Sequence, residues 1–273
     1  MKYRLVCSDL DDTLIGKDAK FGKGLKKAIE EYVRQGGKFC IVTGRMTSGA
    51  LPVCRELGLT GEVITYQGAV VTDIETGKTV FSKTIPTEDA VEVGRFCEER
   101  GYYYQTYIGD GFYAERRNEF TSIYAHLSCA HFVQTPGKLS DYMLENKVSP
   151  PKILMMADPK KVPGILSIMR KYFGNKFLIN TSKPYIIEII PQGISKGKAV
   201  ERLAQEYGIR QEEVICIGDS ENDLTMIEYA GLGVVVGTGS EIAKQRADVI
   251  APGMDDDPVT WVLKTYCSEK RPS

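Results

Sequence analysis

Four short segments of this chain carry residue types that could do phosphoryl chemistry. Asp9-Leu10-Asp11-Asp12-Thr13 sets three carboxylates within four positions, and Gly218-Asp219-Ser220-Glu221-Asn222-Asp223 supplies a second acidic cluster. Between them lie Thr43-Gly44-Arg45 and Lys196, the latter preceded by Pro191-Gln192-Gly193-Ile194-Ser195. Carboxylates crowded into one cleft repel one another and stay partly protonated unless a cation holds them together. An oxygen-only donor set without His or Cys selects a hard ion, and Mg²⁺ commonly combines one or two carboxylates with waters and substrate phosphate. A carboxylate attacking phosphorus is an anion approaching an anion, a repulsion that metal and lysine together neutralise. The resulting aspartyl-phosphate divides one hard step into two. A carboxyl two residues from the nucleophile can serve as acid for the leaving alkoxide and then as base for water.

Each segment by itself has an ordinary reading. Asp9 and Asp11 could cap a turn, Thr43 could be an N-cap, and Lys196 could be a solvated lysine. Gly218 to Asp223 could be a helix start with acids at its positive end. The combination is what counts, and it depends on the elements that position the four pieces.

Those elements read as alternating strands and helices. Tyr3 to Ser8 is an apolar strand. Leu25, Ala28, Ile29, Tyr32 and Val33 then mark one helical face, which Gly36-Gly37 ends. Lys38 to Thr43 is the next strand, residues 49–57 a helix and Glu62 to Thr65 a third strand, and this order implies a parallel sheet with right-handed crossovers. Residues 69–73 and 79–83 read as an appended hairpin. The rhythm returns after about residue 190, with a helix over 196–207, strands at 214–217, 233–236 and 249–250, and helices at 224–229, 241–246 and 259–266. The middle differs. Tyr- and Phe-rich strands at 102–106 and 111–114 mix there with helices at 89–100 and 162–173 and strands at 152–157 and 185–190. The expected fold class is α/β: a Rossmann-like, three-layer parallel-sheet core made of 1–84 and 190–273, with an α/β cap domain of 85–189 inserted between its halves. Active sites of parallel sheets lie at the carboxyl ends of the strands, and the four segments fall at strand ends or a helix start on that one edge.

Composition excludes several other classes. Hydrophobic residues make up 42% and charged residues 26% of the 273, ample for a buried core. A net charge of -1 gives no sign of a nucleic-acid surface. No apolar run approaches the ~20 residues of a membrane span, and no secretory signal pattern is present. The seven cysteines form no C-x-x-C pair, so neither zinc site nor disulfide framework is suggested, and a cytoplasmic protein with reduced thiols is expected. Gly231-Leu232-Gly233 and Gly237-Thr238-Gly239 do not extend to a dinucleotide loop, and His126 and His131 are too few for a metal site.

The four segments resemble the four motifs of the haloacid dehalogenase-like superfamily, and the whole chain is similar to its Cof-type, sugar-phosphatase-like members, in which an α/β cap is inserted between the second and third motifs. The resemblance implies that Asp9 is the nucleophile and Asp11 the general acid/base. It implies phosphate binding by Leu10, Thr43, Gly44, Lys196 and Asn222. Mg²⁺ would be held by Asp9, the backbone carbonyl of Asp11, and Asp219, with Asp223 in support. The implied activity is Mg²⁺-dependent hydrolysis of a small phosphorylated metabolite, with no nucleic-acid or membrane partner. A phosphomutase sharing the intermediate, and a non-catalytic phospho-acceptor module, are the alternatives. The chain departs from the family at Gln67-Gly68, where Asn-Gly is usual, at Thr238-Gly239 for Asn-Ala, and at Asp257-Pro258-Val259 for Asp-Gly-Val.

Overall fold

Strand β1 (Leu5–Ser8) is buried at every residue, because parallel strands lie on both sides of it and helices cover both faces of its sheet. It belongs to a computed structural model that describes residues 1–16, 20–128 and 130–268; Cys129 therefore lies outside the described residues. In chain order β1 is followed by α1 (Leu25–Arg34), β2 (Lys38–Ile41), α2 (Thr47–Glu56), β3 (Glu62–Thr65), β4 (Val70–Asp73) and β5 (Thr79–Ser82). The middle of the chain forms α3 (Thr87–Glu99), β6 (Tyr104–Ile108), β7 (Gly111–Ala114), α4 (Glu119–Ser128), β8 (His131–Gln134), α5 (Leu139–Glu145), β9 (Ile153–Met156), α6 (Val162–Phe173), β10 (Phe177–Lys183) and β11 (Ile186–Pro191). The last part forms α7 (Lys196–Glu206), β12 (Val214–Gly218), α8 (Leu224–Tyr229), β13 (Leu232–Val235), α9 (Glu241–Lys244), β14 (Val249–Ile250) and α10 (Pro258–Val262).

The first sheet is parallel throughout, in the order β14-β13-β12-β1-β2. It draws strands from both ends of the sequence, so β1 and β12 end side by side, with Ser8 opposite Ile217. Cys7 lies in register with Cys216 on one side and Cys40 on the other, and all three are buried as small hydrophobes. Helix α1 buries Leu25, Ala28, Ile29 and Tyr32, the face its spacing predicts; Val33, assigned to the same face, is exposed.

The third strand behaves differently from expectation. β3 touches the parallel sheet through a single bridge, Val42 to Ile64, and otherwise pairs antiparallel with β4 in a separate sheet, β3-β4-β5. The cause is local. Tyr66 and Gln67 adopt φ 51° and 61°, a tight reversal that folds β4 straight back on β3.

The second large sheet runs β10-β11-β9-β6-β7-β8 and is antiparallel except between β7 and β8. Its residues alternate between two faces. Ile153, Met155, Ile187 and Ile189 pack with residues of α3 and α6, including Val93, Phe96 and Met169. Leu154, Met156, Ile186 and Ile190 face the other way and pack with Met46, Tyr66, Ala69 and Val70. The second sheet thus shares an apolar seam with the segments that follow β2 and β3, which holds it over the ends of those strands.

Candidate active site

Asp9 follows β1 directly, and its backbone N–H donates to the carbonyl of Ile217 at 2.8 Å, tying the end of β1 to the end of β12. Asp12, at φ 60°, then turns the chain, and the Leu10 carbonyl accepts from the N–H groups of Leu14 and Ile15 at 3.0 and 2.9 Å. The Leu10 side chain is in the core, so its backbone is what remains for a ligand. This loop leaves Asp9 only 5% exposed at the sheet edge.

Lys196 opens α7. Ser195 caps that helix, its hydroxyl accepting from the Lys198 N–H at 3.2 Å. Gly197 brings the helix against residue 225: a Cβ there would lie 2.0 Å from the Thr225 carbonyl oxygen. Held this close, Lys196 is 1% exposed, and its Nζ donates to Asp9 Oδ1 at 2.6 Å and Asp223 Oδ1 at 2.5 Å. The other oxygen of Asp223 accepts from the N–H groups of Asp219 and Ser220, at 3.0 and 3.1 Å. Asp223 thereby closes the loop that presents Asp219.

Oxygens of Asp9, Asp219 and Asp223 lie within 4.8 Å of one another. This donor set is all carboxylate and largely dry, the chemistry that suits a hard divalent ion. The electrostatics agree. Burial first, then the neighbouring carboxylates of Asp223, Asp219 and Asp11, push the Asp9 carboxyl well above its usual range against the pull of Lys196. Burial and Asp223 push Asp219 up to about 7. Burial works to lower the Lys196 ammonium, but Asp223 and Asp9 outweigh it and leave it raised, so it stays charged. The cluster has one ammonium for three carboxylates, and a divalent cation would complete its charge balance.

Asp11 lies two residues from Asp9 but faces a different partner. Arg45 Nε donates to its Oδ2 at 2.9 Å and an Arg45 terminal nitrogen to its Oδ1 at 2.6 Å. Thr43 is 1% exposed and its hydroxyl oxygen accepts from the Arg45 N–H at 3.1 Å. The Gly44 carbonyl accepts from Lys152 Nζ at 2.9 Å. Asn222 accepts from the Ser220 hydroxyl at 2.6 Å and donates to Gln67 Oε1 at 3.3 Å.

The structure therefore brings Asp9, Lys196, Asp219 and Asp223 into direct contact or near it and places Asp11, Thr43, Gly44 and Asn222 around them. Sequence reasoning placed Arg45 in the second motif but gave it and Gln67 no role, and passed over Lys152 and Glu188. The last two had a signal: each is a charge at the start or centre of an otherwise apolar strand. Lys183, which ends β10, carried no such signal; its ammonium lies 3.5 Å from Asp12 Oδ2. His126 and His131 are exposed. Tyr103 and Tyr104 spend their hydroxyls on Gln105 and Glu98 within the second sheet and its helix.

A parallel sheet with carboxylates on its carboxyl edge and a second sheet inserted over them defines a class, and comparison with known proteins gives it a family. Residues 6–263 match the family described as haloacid dehalogenase-like hydrolase, and the chain belongs to it. Among its relatives is YxeH of Bacillus subtilis, 30% identical over 241 residues, which span 86% of this chain and 87% of that one. The 5-amino-6-(5-phospho-D-ribitylamino)uracil phosphatase YitU of Bacillus subtilis is 26% identical over 281 residues, 98% of each chain. A haloacid dehalogenase-like hydrolase from Bacteroides thetaiotaomicron superposes with a TM-score of 0.86 at 27% identity, covering 96% of this chain and 98% of that one. Among the described residues no helix is long and apolar enough to cross a membrane.

Proposed function

We propose that the chain hydrolyses small phosphate monoesters through an aspartyl-phosphate formed on Asp9, with residues 85–189 acting as a cap that selects the leaving group. That it is a phosphoric monoester hydrolase follows from its family and its named relatives. The observation that carries the finer reading is the buried Lys196 ammonium shared between Asp9 and Asp223. It sets a cation beside the nucleophile, where the charge of an incoming phosphoryl group would gather.

In the first step an Asp9 carboxylate oxygen forms a bond to phosphorus and the ester P–O bond breaks. Asp11 gives its proton to the departing alkoxide. In the second step Asp11 takes a proton from water, the water oxygen bonds to phosphorus, and the Asp9–phosphorus bond breaks to return the carboxylate and inorganic phosphate. Lys196, the Thr43 hydroxyl, the Gly44 and Leu10 backbone and the Asn222 amide hold the phosphoryl oxygens. Asp9, Asp219 and Asp223, with the Asp11 carbonyl, would hold Mg²⁺, which when bound supplies charge neutralisation to the site.

A sugar phosphate or a similar metabolite is the substrate class we favour, since YitU is named for a phosphorylated ribityl compound. The test is phosphate release from p-nitrophenyl phosphate, followed by a panel of phosphorylated sugars, nucleotides and cofactors. Mg²⁺-dependent release that disappears in Asp9→Asn supports the mechanism. Full activity in that variant or in EDTA would overturn it, and turnover without free phosphate would point to a mutase.

A further inference from the structure

The face of the second sheet that meets the core region is apolar at Leu154, Met156, Ile186 and Ile190, but two of its positions are charged. Lys152 and Glu188 are 2% and 4% exposed, and Lys152 Nζ lies 2.6 Å from Glu188 Oε1. Hydrophobic residues of the same size stabilise such a seam as well as a buried ion pair does, so packing does not account for this one. Both charges reach out of their own sheet. Lys152 also donates to the Gly44 carbonyl at 2.9 Å, and the second Glu188 oxygen accepts from Gln67 Nε2 at 2.7 Å.

Each of these contacts continues to a group that the proposed function assigns to the phosphate. The Gly44 carbonyl belongs to the same peptide as the Arg45 N–H, which donates to Thr43 Oγ1 at 3.1 Å. An ammonium on that carbonyl polarises the peptide and strengthens the N–H as a donor. With a lone pair of Thr43 engaged in this way, the hydroxyl proton is turned toward another acceptor. On the other side Gln67 Oε1 accepts from Asn222 Nδ2 at 3.3 Å, while Ser220 holds Asn222 Oδ1. An amide carries two hydrogens, so Asn222 keeps a second one to offer a ligand.

We propose that the Lys152–Glu188 pair is a positioning device, through which the inserted sheet sets both polar arms of the phosphate cradle, Thr43 through Gly44 and Asn222 through Gln67. The proposal rests on the phosphatase reading of the site. Neither residue touches substrate. Their effect is to join the cradle's geometry to the docking of the second sheet, so that the site is ordered when that sheet is seated.

The double variant Lys152→Met/Glu188→Leu removes both charges together, and Gln67→Met cuts only the Asn222 arm. Three quantities are compared with the parent: thermal midpoint, KM and kcat on p-nitrophenyl phosphate, and the Kd of inorganic phosphate by calorimetry in Mg²⁺. The expected result is a folded double variant with KM and phosphate Kd raised about tenfold, the worth of one good hydrogen bond to an anion, and a smaller change in kcat. Gln67→Met shows a part of the same shift and decides the matter if the double variant does not fold. Folded variants whose KM and phosphate Kd stay within twofold of the parent overturn the proposal and leave the phosphatase reading intact. A parent chain that neither releases nor binds phosphate overturns both.

Discussion

Arg45 grips Asp11 by both carboxylate oxygens, at 2.9 and 2.6 Å, while two residues earlier Asp9 is held by Lys196 at 2.6 Å. Two neighbouring carboxylates thus answer to two different cations. A planar fork also holds a carboxylate in orientation, which a lysine does not. Replacing Arg45 by Met is expected to lower kcat on an aryl phosphate about tenfold or more, since Asp11 loses its aim. Steady-state kinetics check this, and an unchanged kcat would remove Arg45 from the positioning of Asp11.

Asp9→Asn separates chemistry from stability. On the proposed mechanism, loss of the Asp9 carboxylate is expected to lower turnover by about a thousandfold or more. The fold should not suffer, because burial and three nearby carboxylates already disfavour the charged form of Asp9. The thermal midpoint of the variant in EDTA is expected to equal or exceed that of the parent. A clear drop would mean that the ionised Asp9–Lys196 pair is a net stabiliser.

The raised carboxyls make stability depend on pH with a definite sign. Asp219 binds its proton up to about pH 7 in the folded chain but only up to the ordinary carboxylate range when unfolded. Between those values the folded state holds more protons, so stability falls as pH rises through the window from about 4 to 7. Above it the loss is complete. Mg²⁺ favours the ionised carboxylates and should flatten or reverse the trend. Urea unfolding at pH 5, 6, 7 and 8, in EDTA and in Mg²⁺, tests it; a flat EDTA series would contradict the buried cluster.

Gly197→Ala attacks the geometry behind Lys196. The new methyl meets the backbone oxygen of Thr225 at 2.0 Å, and a backbone atom cannot rotate away. Overpacking of this kind costs about 1–3 kcal/mol, so the thermal midpoint should fall by several degrees. Activity should fall further than the unfolded fraction explains, because the residue that moves is next to Lys196. Wild-type kcat in the folded fraction would argue against the tight placement of α7.

Which acids follow the central strands was legible in the sequence alone, for a physical reason. Strands buried on both faces read as unbroken apolar runs, and whatever follows them lies at the sheet edge. Tyr3 to Ser8 and Val214 to Ile217 therefore announced both their strands and the acids behind them. Pairing was another matter. Whether residues 62–65 joined the parallel sheet depended on the reversal at Tyr66 and Gln67, whose positive φ no propensity predicts. Strands β8 and β10 went unread because they are the two edges of their sheet, where exposure breaks the apolar pattern. Taken alone Lys196 reads as a solvated lysine, and only its company in the other segments marks it; that it is buried between Asp9 and Asp223 is decided by the tertiary structure. The same holds for Lys152 and Glu188, 36 residues apart and joined across β9 and β11. Composition and strand order determine which groups reach the edge, because those are local properties of the chain. Which cation serves which carboxylate is decided by distances of about 3 Å between distant segments, and only the folded chain sets those.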